Sequence, residues 1–92
     1  MSTPDPLQDP CAGLLFEIQR GDEAAFAELY RRYAGTLLLL LLKKSPEKNA
    51  AENALAEIFT HIWTRPFAFD PAKETGRAWL CGLVARHGED RR

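Results

Sequence analysis

Apolar residues recur along this chain at steps of three and four, and the clearest run is AENALAEIFTHIW at 51–63. A helix puts its Ala51, Ala54, Leu55, Ile58, Phe59, Ile62 and Trp63 on one face, which must be buried. The other face carries Glu52, Asn53, Ala56, Glu57, Thr60, His61 and Thr64, polar enough for water and short enough to lie flat against a partner. The same period places Leu14, Leu15 and Ile18 on a short first helix, with Asp9 as N-cap, Pro10 at its first position and Gly21 ending it. Asp22 then caps a long second helix, Glu23 to Lys44, on which Phe26, Leu29, Tyr30, Tyr33, Leu37 and Leu40 or Leu41 repeat. Gly35 and Thr36 weaken its middle, glycine costing about 1 kcal/mol relative to alanine, and predict a slight bend.

Ser45 as N-cap and Pro46 at the first helical position predict a third helix from Pro46 to Thr64, which Pro66 ends. The following RPFAFDPAKETG reads as an ordered loop pinned by Phe67 and Phe69. Thr75 caps a last helix whose apolar stripe is Trp79, Leu80, Leu83 and Val84. With no strand-like alternation and no repeat, the fold class is all-α, a small bundle of about four helices around one core. The helical domain spans 10–92, preceded by a short disordered lead at 1–9 that is rich in proline; the polar 88–92 is expected to fray.

Length and composition narrow the picture. A chain of 92 residues makes one domain with a small core, since domains this short bury only somewhat more than ~60% of their unfolded surface. Its 46% apolar and 27% charged residues are those of an ordinary soluble protein. A net charge of −1 leaves no general basic face, so any nucleic-acid site is local and shared with a larger partner. Leu37 to Leu42 is the most apolar stretch, but a membrane span needs ~20 such residues. Bracketed by Arg31, Arg32, Lys43 and Lys44, it reads as a buried helix segment that also allows some leucines to face a partner. The N-terminus has no basic start and no apolar run, which argues against a secretory signal. Cys11 and Cys81 form no spaced pair and read as packing residues or free thiols suited to a cytoplasmic setting.

The chemistry of catalysis is missing from the pattern. Cys11, His61, Cys81 and His87 lie on separate elements without metal-ligand spacing, so no metal is expected. Neither Ser2 nor Ser45 has a base at hand, and the six glycines are scattered instead of forming a phosphate loop. Glu52 and Glu57 are five apart, which is no same-face acid–base pair. The expectation is a binding protein and no enzyme, with no cofactor, no small-molecule substrate and no membrane. Trp63 and Trp79 sit in the apolar stripes and read as core; Phe67 and Phe69 read equally as core pins or as platforms for an unstacked base. His61 reads as a solvated side chain or as a contact to a partner's acidic group.

Taken in order, GDEAAFAELYRRYAGTL, AENALAEIFTHIW and FDPAKETGRAWL resemble domain 2 of bacterial RNA polymerase sigma factors of the extracytoplasmic-function class. The resemblance covers about Leu14 to Val84 and follows that family's GD-x-x-AF-x-x-LY-x-x-Y, AED-x-x-QE-x-F-x-x-x-W and F-x-x-x-x-x-x-x-x-WL. It implies a transcription initiation factor whose third helix docks on the clamp coiled coil of RNA polymerase core. Its loop and last helix would recognise and open the minus-ten promoter element on the non-template single strand. By position, Glu52, Asn53, Ala56, Glu57 and His61 would face polymerase, while Phe67, Phe69, Lys73, Thr75, Arg77 and Arg86 would lie nearest the promoter strand. The chain departs from the pattern at Asn53, where the family has aspartate, and at Ala56, where it has glutamine. Aligned without a gap, Ala85, Arg86 and Glu89 stand where the family has arginine, asparagine and isoleucine. These departures motivate a second reading, a sigma mimic that binds an anti-sigma protein or polymerase without reading DNA. A third is a helical self-association module using the leucine run. The family's C-terminal helix-turn-helix has no counterpart in these residues.

Overall fold

Asp9 opens the first helix by accepting a hydrogen bond from the Ala12 N–H at 3.0 Å, and Pro10 occupies the first helical position, where its missing N–H costs nothing. This is a computed structural model describing residues 9–87. The expectations for the lead before Asp9 and for the polar end after His87 lie outside the described residues. Asp9 itself belongs to the folded domain and not to the lead. Helix α1 runs Pro10–Gln19, α2 Glu23–Lys44, α3 Lys48–Thr64 and α4 Gly76–Arg86, with one 3-10 turn at Pro66–Ala68 between α3 and α4. No strand occurs among the described residues.

Gly21, at φ +85°, makes the turn from α1 to α2, a conformation that a Cβ would strain. Asp22 caps α2 as expected, accepting from the N–H groups of Ala24 and Ala25. Helix α2 continues through Gly35 and Thr36 without interruption. Its leucine run is not buried all round: Leu37 and Leu41, four apart, enter the core, Leu38, Leu40 and Leu42 are half-buried, and Leu39 is 64% exposed.

The start of α3 differs from the sequence reading. Ser45 does not cap it. The Ser45 N–H closes α2 by donating to Leu41 O, so Ser45 serves as the C-cap of the helix before it. Glu47 is the N-cap instead, its carboxylate accepting from the Ala50 N–H at 2.7 Å, and α3 begins at Lys48.

Every helix contributes to one core. Leu15 and Ile18 of α1, Leu29 and Leu37 of α2, Ile62 of α3 and Leu80 of α4 are all fully buried. Each such aliphatic side chain contributes about 1.5–3 kcal/mol of transfer free energy. Six of the seven stripe residues on α3 are buried, from Ala51 to Ile62. Trp63 is the exception and corrects the expectation of a core tryptophan, being 38% exposed. It lies on the rim, its ring centroid 5.2 Å from that of Phe26, in an aromatic row that includes Phe59 and Tyr30. Trp79 is 2% exposed and is core, as expected.

Helix α4 packs against α1 at one point where only glycine fits. A Cβ on Gly76 would stand 2.6 Å from Ala12 N and 2.9 Å from the Cys11 carbonyl carbon and Sγ. Asp9 spans this junction: one carboxylate oxygen caps α1, and the other accepts the Gly76 N–H of α4 at 3.1 Å. A single charged side chain thus caps two helix N-termini, each a place where the dipole favours an anion.

Candidate functional site

Two exposed regions carry the residues that the sequence pattern singles out. The first is the outer face of α3. Glu52, Asn53, Ala56 and Glu57 are exposed there, opposite the buried stripe, and His61 is half-buried at its edge. Glu57 reaches across to α4, with its Oε1 2.7 Å from His87 Nε2. Between the two helices lies a cleft of about 350 Å³ lined by Glu57, Ile58, His61, Leu83, Arg86 and His87.

The second region is the loop from α3 into α4. Phe67 is 75% exposed on the 3-10 turn, and Lys73, Thr75 and Arg77 are exposed beyond it. Phe69, two residues from Phe67, is 3% exposed and packs on Trp79 with ring centroids 5.5 Å apart. Of the two aromatics, Phe69 is the pin and Phe67 the free ring. Gln19 at the end of α1 secures the segment from behind, its Nε2 donating to Pro66 O at 3.0 Å and to Phe69 O at 3.4 Å. Asp70 stabilises the following bend by accepting from the Ala72 N–H, and its carbonyl accepts from the Lys73 N–H. Thr75 is the N-cap of α4, its Oγ1 accepting from the Ala78 N–H at 3.1 Å.

The six residues grouped by resemblance as DNA-facing do not form one patch. Arg77 and Arg86 are nine residues apart on α4, which at 1.5 Å and 100° per residue means roughly 14 Å along the axis and opposite sides of the helix. Arg86 instead shares the α3–α4 cleft with Glu57 and His61. Phe67, Lys73, Thr75 and Arg77 remain together at the loop and the first turn of α4.

The long-range roles of three contributors have no signal in the sequence pattern. Gln19 ends α1 like any polar helix residue, Asp9 has one local capping role but two in space, and Lys44 donates to three carbonyls of α4. Each depends on contacts forty or more positions away. Among the described residues no group of His, Cys, Asp or Glu is arranged to hold a metal, and no helix is long and apolar enough to cross a membrane. Both cysteines are free thiols. Burial, and secondarily the Asp9 carboxylate, push the Cys11 thiol up to about 12, so it stays protonated and unreactive at neutral pH. A larger apolar groove of about 610 Å³ runs along the outer side of α1, lined in part by Leu14, Phe16, Phe69 and Pro71.

No protein-family model matches the chain, and no solved structure matches it significantly. Curated relatives do. An RNA polymerase sigma factor of the extracytoplasmic-function class, SigK of Mycobacterium tuberculosis (strain ATCC 25618 / H37Rv), is 30% identical over 91 residues, covering 99% of this chain and 49% of the relative. SigK of Mycobacterium ulcerans (strain Agy99) is 28% identical over the same share of each chain. RpoE of Cereibacter sphaeroides, of the same class, is 30% identical over 59 residues, which is 64% of this chain and 33% of the relative. The chain therefore spans about half the length of the SigK relatives it matches. All three relatives are named as sigma factors, proteins of transcription and not enzymes. Over nearly its whole length, and across about half of theirs, the chain is a relative of the extracytoplasmic-function RNA polymerase sigma factors.

Proposed function

We propose that this chain works in transcription initiation as a sigma-factor domain 2, docking on RNA polymerase core through the outer face of α3 and engaging the minus-ten promoter strand through the loop before α4. The observation that carries the reading is the division of labour between neighbouring aromatics: Phe69 is buried against Trp79, and Phe67 is 75% exposed on a turn tied down by Gln19. A rigidly held, exposed ring is what an unstacked base needs, and base–aromatic stacking contributes about 1–3 kcal/mol. Lys73 and Arg77, exposed nearby, supply charge for the phosphates. The outer face of α3 suits helix-to-helix docking because its opposite side is fully committed to the core.

The test is binding of a minus-ten oligonucleotide by the chain together with core polymerase. Phe67→Ala should weaken strand binding about tenfold or more while leaving stability nearly unchanged. Retention on core polymerase is measured separately, at low salt and high protein. No retention removes the docking part of the proposal, and an unchanged strand affinity in Phe67→Ala removes the stacking part.

A second reading rests on Asn53 and Ala56, both exposed on the α3 face, where the resembling family carries aspartate and glutamine. In that reading the chain occupies an anti-sigma protein or the polymerase clamp without reading DNA. Fluorescence anisotropy with promoter and scrambled strands separates the two, since a mimic shows no sequence preference. Restoring Asn53→Asp and Ala56→Gln should then strengthen polymerase retention without creating a preference.

A further inference from the structure

The cleft between α3 and α4 has an apolar floor and a fixed rim. Ile58 and Leu83 on the floor are 4% and 9% exposed. Lys44 ties down the end of α4 by donating to Val84 O at 2.8 Å and to Ala85 O and His87 O at 3.0 Å each, and Glu57 Oε1 of α3 lies 2.7 Å from His87 Nε2. Two polar groups on this rim are left over. Among the described residues neither the His61 imidazole nor the Arg86 guanidinium has a hydrogen-bond or ion-pair partner, although both line the cleft. Arg86 Nη1 lies 3.4 Å from where a Cβ on Gly82 would be, so the guanidinium folds back over the preceding turn of α4. The carboxylate in the lining, Glu57, is engaged by His87.

A guanidinium carries only donors, and its planar fork matches a carboxylate or a phosphate. The surroundings choose between them. On the outer face of α3 Glu52 and Glu57 are exposed and no lysine or arginine stands between Lys48 and Arg65, so a phosphate backbone laid across it meets like charge. A single carboxylate on a protein partner enters at Arg86 and leaves Glu52 to a cation of the same partner. We propose that this cleft receives one carboxylate side chain from the protein that docks on α3, with Arg86 as its forked ligand and His61 as a second donor. The inference rests on the reading of the α3 face as a docking surface, and it assigns Arg86 to the protein partner and not to the promoter strand. Ile58 and Leu83 exclude water beneath the pair, which strengthens a charge-assisted hydrogen bond.

The experiment has two arms, both on the full chain at pH 7. In the first, sodium acetate is titrated into labelled protein against sodium chloride at equal ionic strength, and NMR follows the Arg86 Nε–H, the His61 ring and the amides around them. Acetate should shift these signals along a saturating curve that chloride does not reproduce, and Arg86→Ala should abolish the response. In the second, retention on core polymerase is compared for wild type, Arg86→Ala, Arg86→Lys and His61→Ala, and strand binding is measured with polymerase in saturating excess. Arg86→Ala is expected to weaken retention about three- to tenfold and His61→Ala about twofold, the range of single hydrogen bonds at partly exposed sites. Arg86→Lys should recover only part of the loss, because an ammonium lacks the fork. Strand affinity at saturation should not change. If chloride matches acetate, or if Arg86→Ala is retained as well as a retained wild type, Arg86 is a solvated charge and the proposal is overturned. If Arg86→Ala keeps retention and loses strand affinity, the residue holds a phosphate and the proposal is likewise overturned. If wild type is not retained while acetate still seats at Arg86, the docking reading fails and the carboxylate site stands.

Discussion

The two ends of α4 are held by different physics. Its N-terminal end is locked by close packing and backbone capping: Gly76 against Ala12 and Cys11, Asp9 on the Gly76 N–H, Thr75 on the Ala78 N–H, and Phe69 on Trp79. Its C-terminal end is held by two long polar side chains from other helices, Lys44 and Glu57, both exposed to solvent. Packing at contact distance leaves no alternative arrangement, because interiors are as dense as crystals and resist deformation. Charged side chains in water hold more weakly and release more easily. The loop bearing Phe67 therefore rests on the rigid end, and Arg86 on the adjustable one.

The comparison is broken most forcefully at Gly76. Gly76→Ala puts a methyl group 2.6 Å from a backbone nitrogen, and backbone cannot swing aside. A loss of about 3 kcal/mol is expected, at the upper end of ordinary overpacking. Urea unfolding measures it; a loss below about 1 kcal/mol would mean that α1 and α4 slide apart without penalty.

Asp9 comes next. Asp9→Ala removes a cap from α1 and from α4 together, and at about 1 kcal/mol per cap the expected cost is about 2 kcal/mol. Asp9→Asn keeps one acceptor oxygen and turns a donor toward the other N–H, so it should lose about half as much. Equal losses in the two variants would show that the junction needs the charge of the carboxylate and not merely an acceptor oxygen.

The same junction makes a prediction in pH. Cys11 is raised from 9.0 to about 12, first by burial and then by the Asp9 carboxylate, so the folded state keeps a proton that the unfolded chain releases. Its contribution to stability is present in full below pH 9 and falls as the pH rises from 9 toward about 12. Tyr33, raised from 10.0 chiefly by burial, adds to the same alkaline fall. Unfolding measured across that range should be flatter in Cys11→Ala, with only the Tyr33 part left. An identical slope in Cys11→Ala would place the titration elsewhere.

At the adjustable end the expected effects on stability are smallest. Glu57→Gln keeps an amide in contact range of His87 Nε2 and removes one charge at an exposed site, so it should cost no more than about 0.5 kcal/mol. Unfolding at low and high salt checks this, since screening should erase most of the difference. A loss as large as that of Asp9→Ala would make the two ends alike.

Much of the fold was legible because the signals are local. Asp9, Asp22 and Thr75 each carry their capping acceptor within three residues of the N–H they satisfy, and Pro10 and Gly21 punctuate the helices they flank. The α3 stripe followed from period alone. Where the local reading slipped, at Ser45 and Trp63, two local solutions competed. Ser45 could cap the helix after it or close the one before it, and Trp63 stands at the end of its stripe, where the partner helix offers an edge in place of a pocket.

The candidate site was legible in part. Phe67 and Phe69 have the same side chain in nearly the same surroundings, and only the docking of the loop on Trp79 and Gln19 decided which ring is buried. Arg86 was grouped with Arg77 by resemblance, yet nine residues of helix separate them and turn them to opposite sides. By itself, the sequence determined the helices, their caps and the stripe that faces the core, because period and capping act over a turn or two. Tertiary structure alone decided what Asp9, Gln19 and Lys44 hold. Their partners lie forty to seventy positions away, and no local pattern encodes a contact that exists only once the helices have packed.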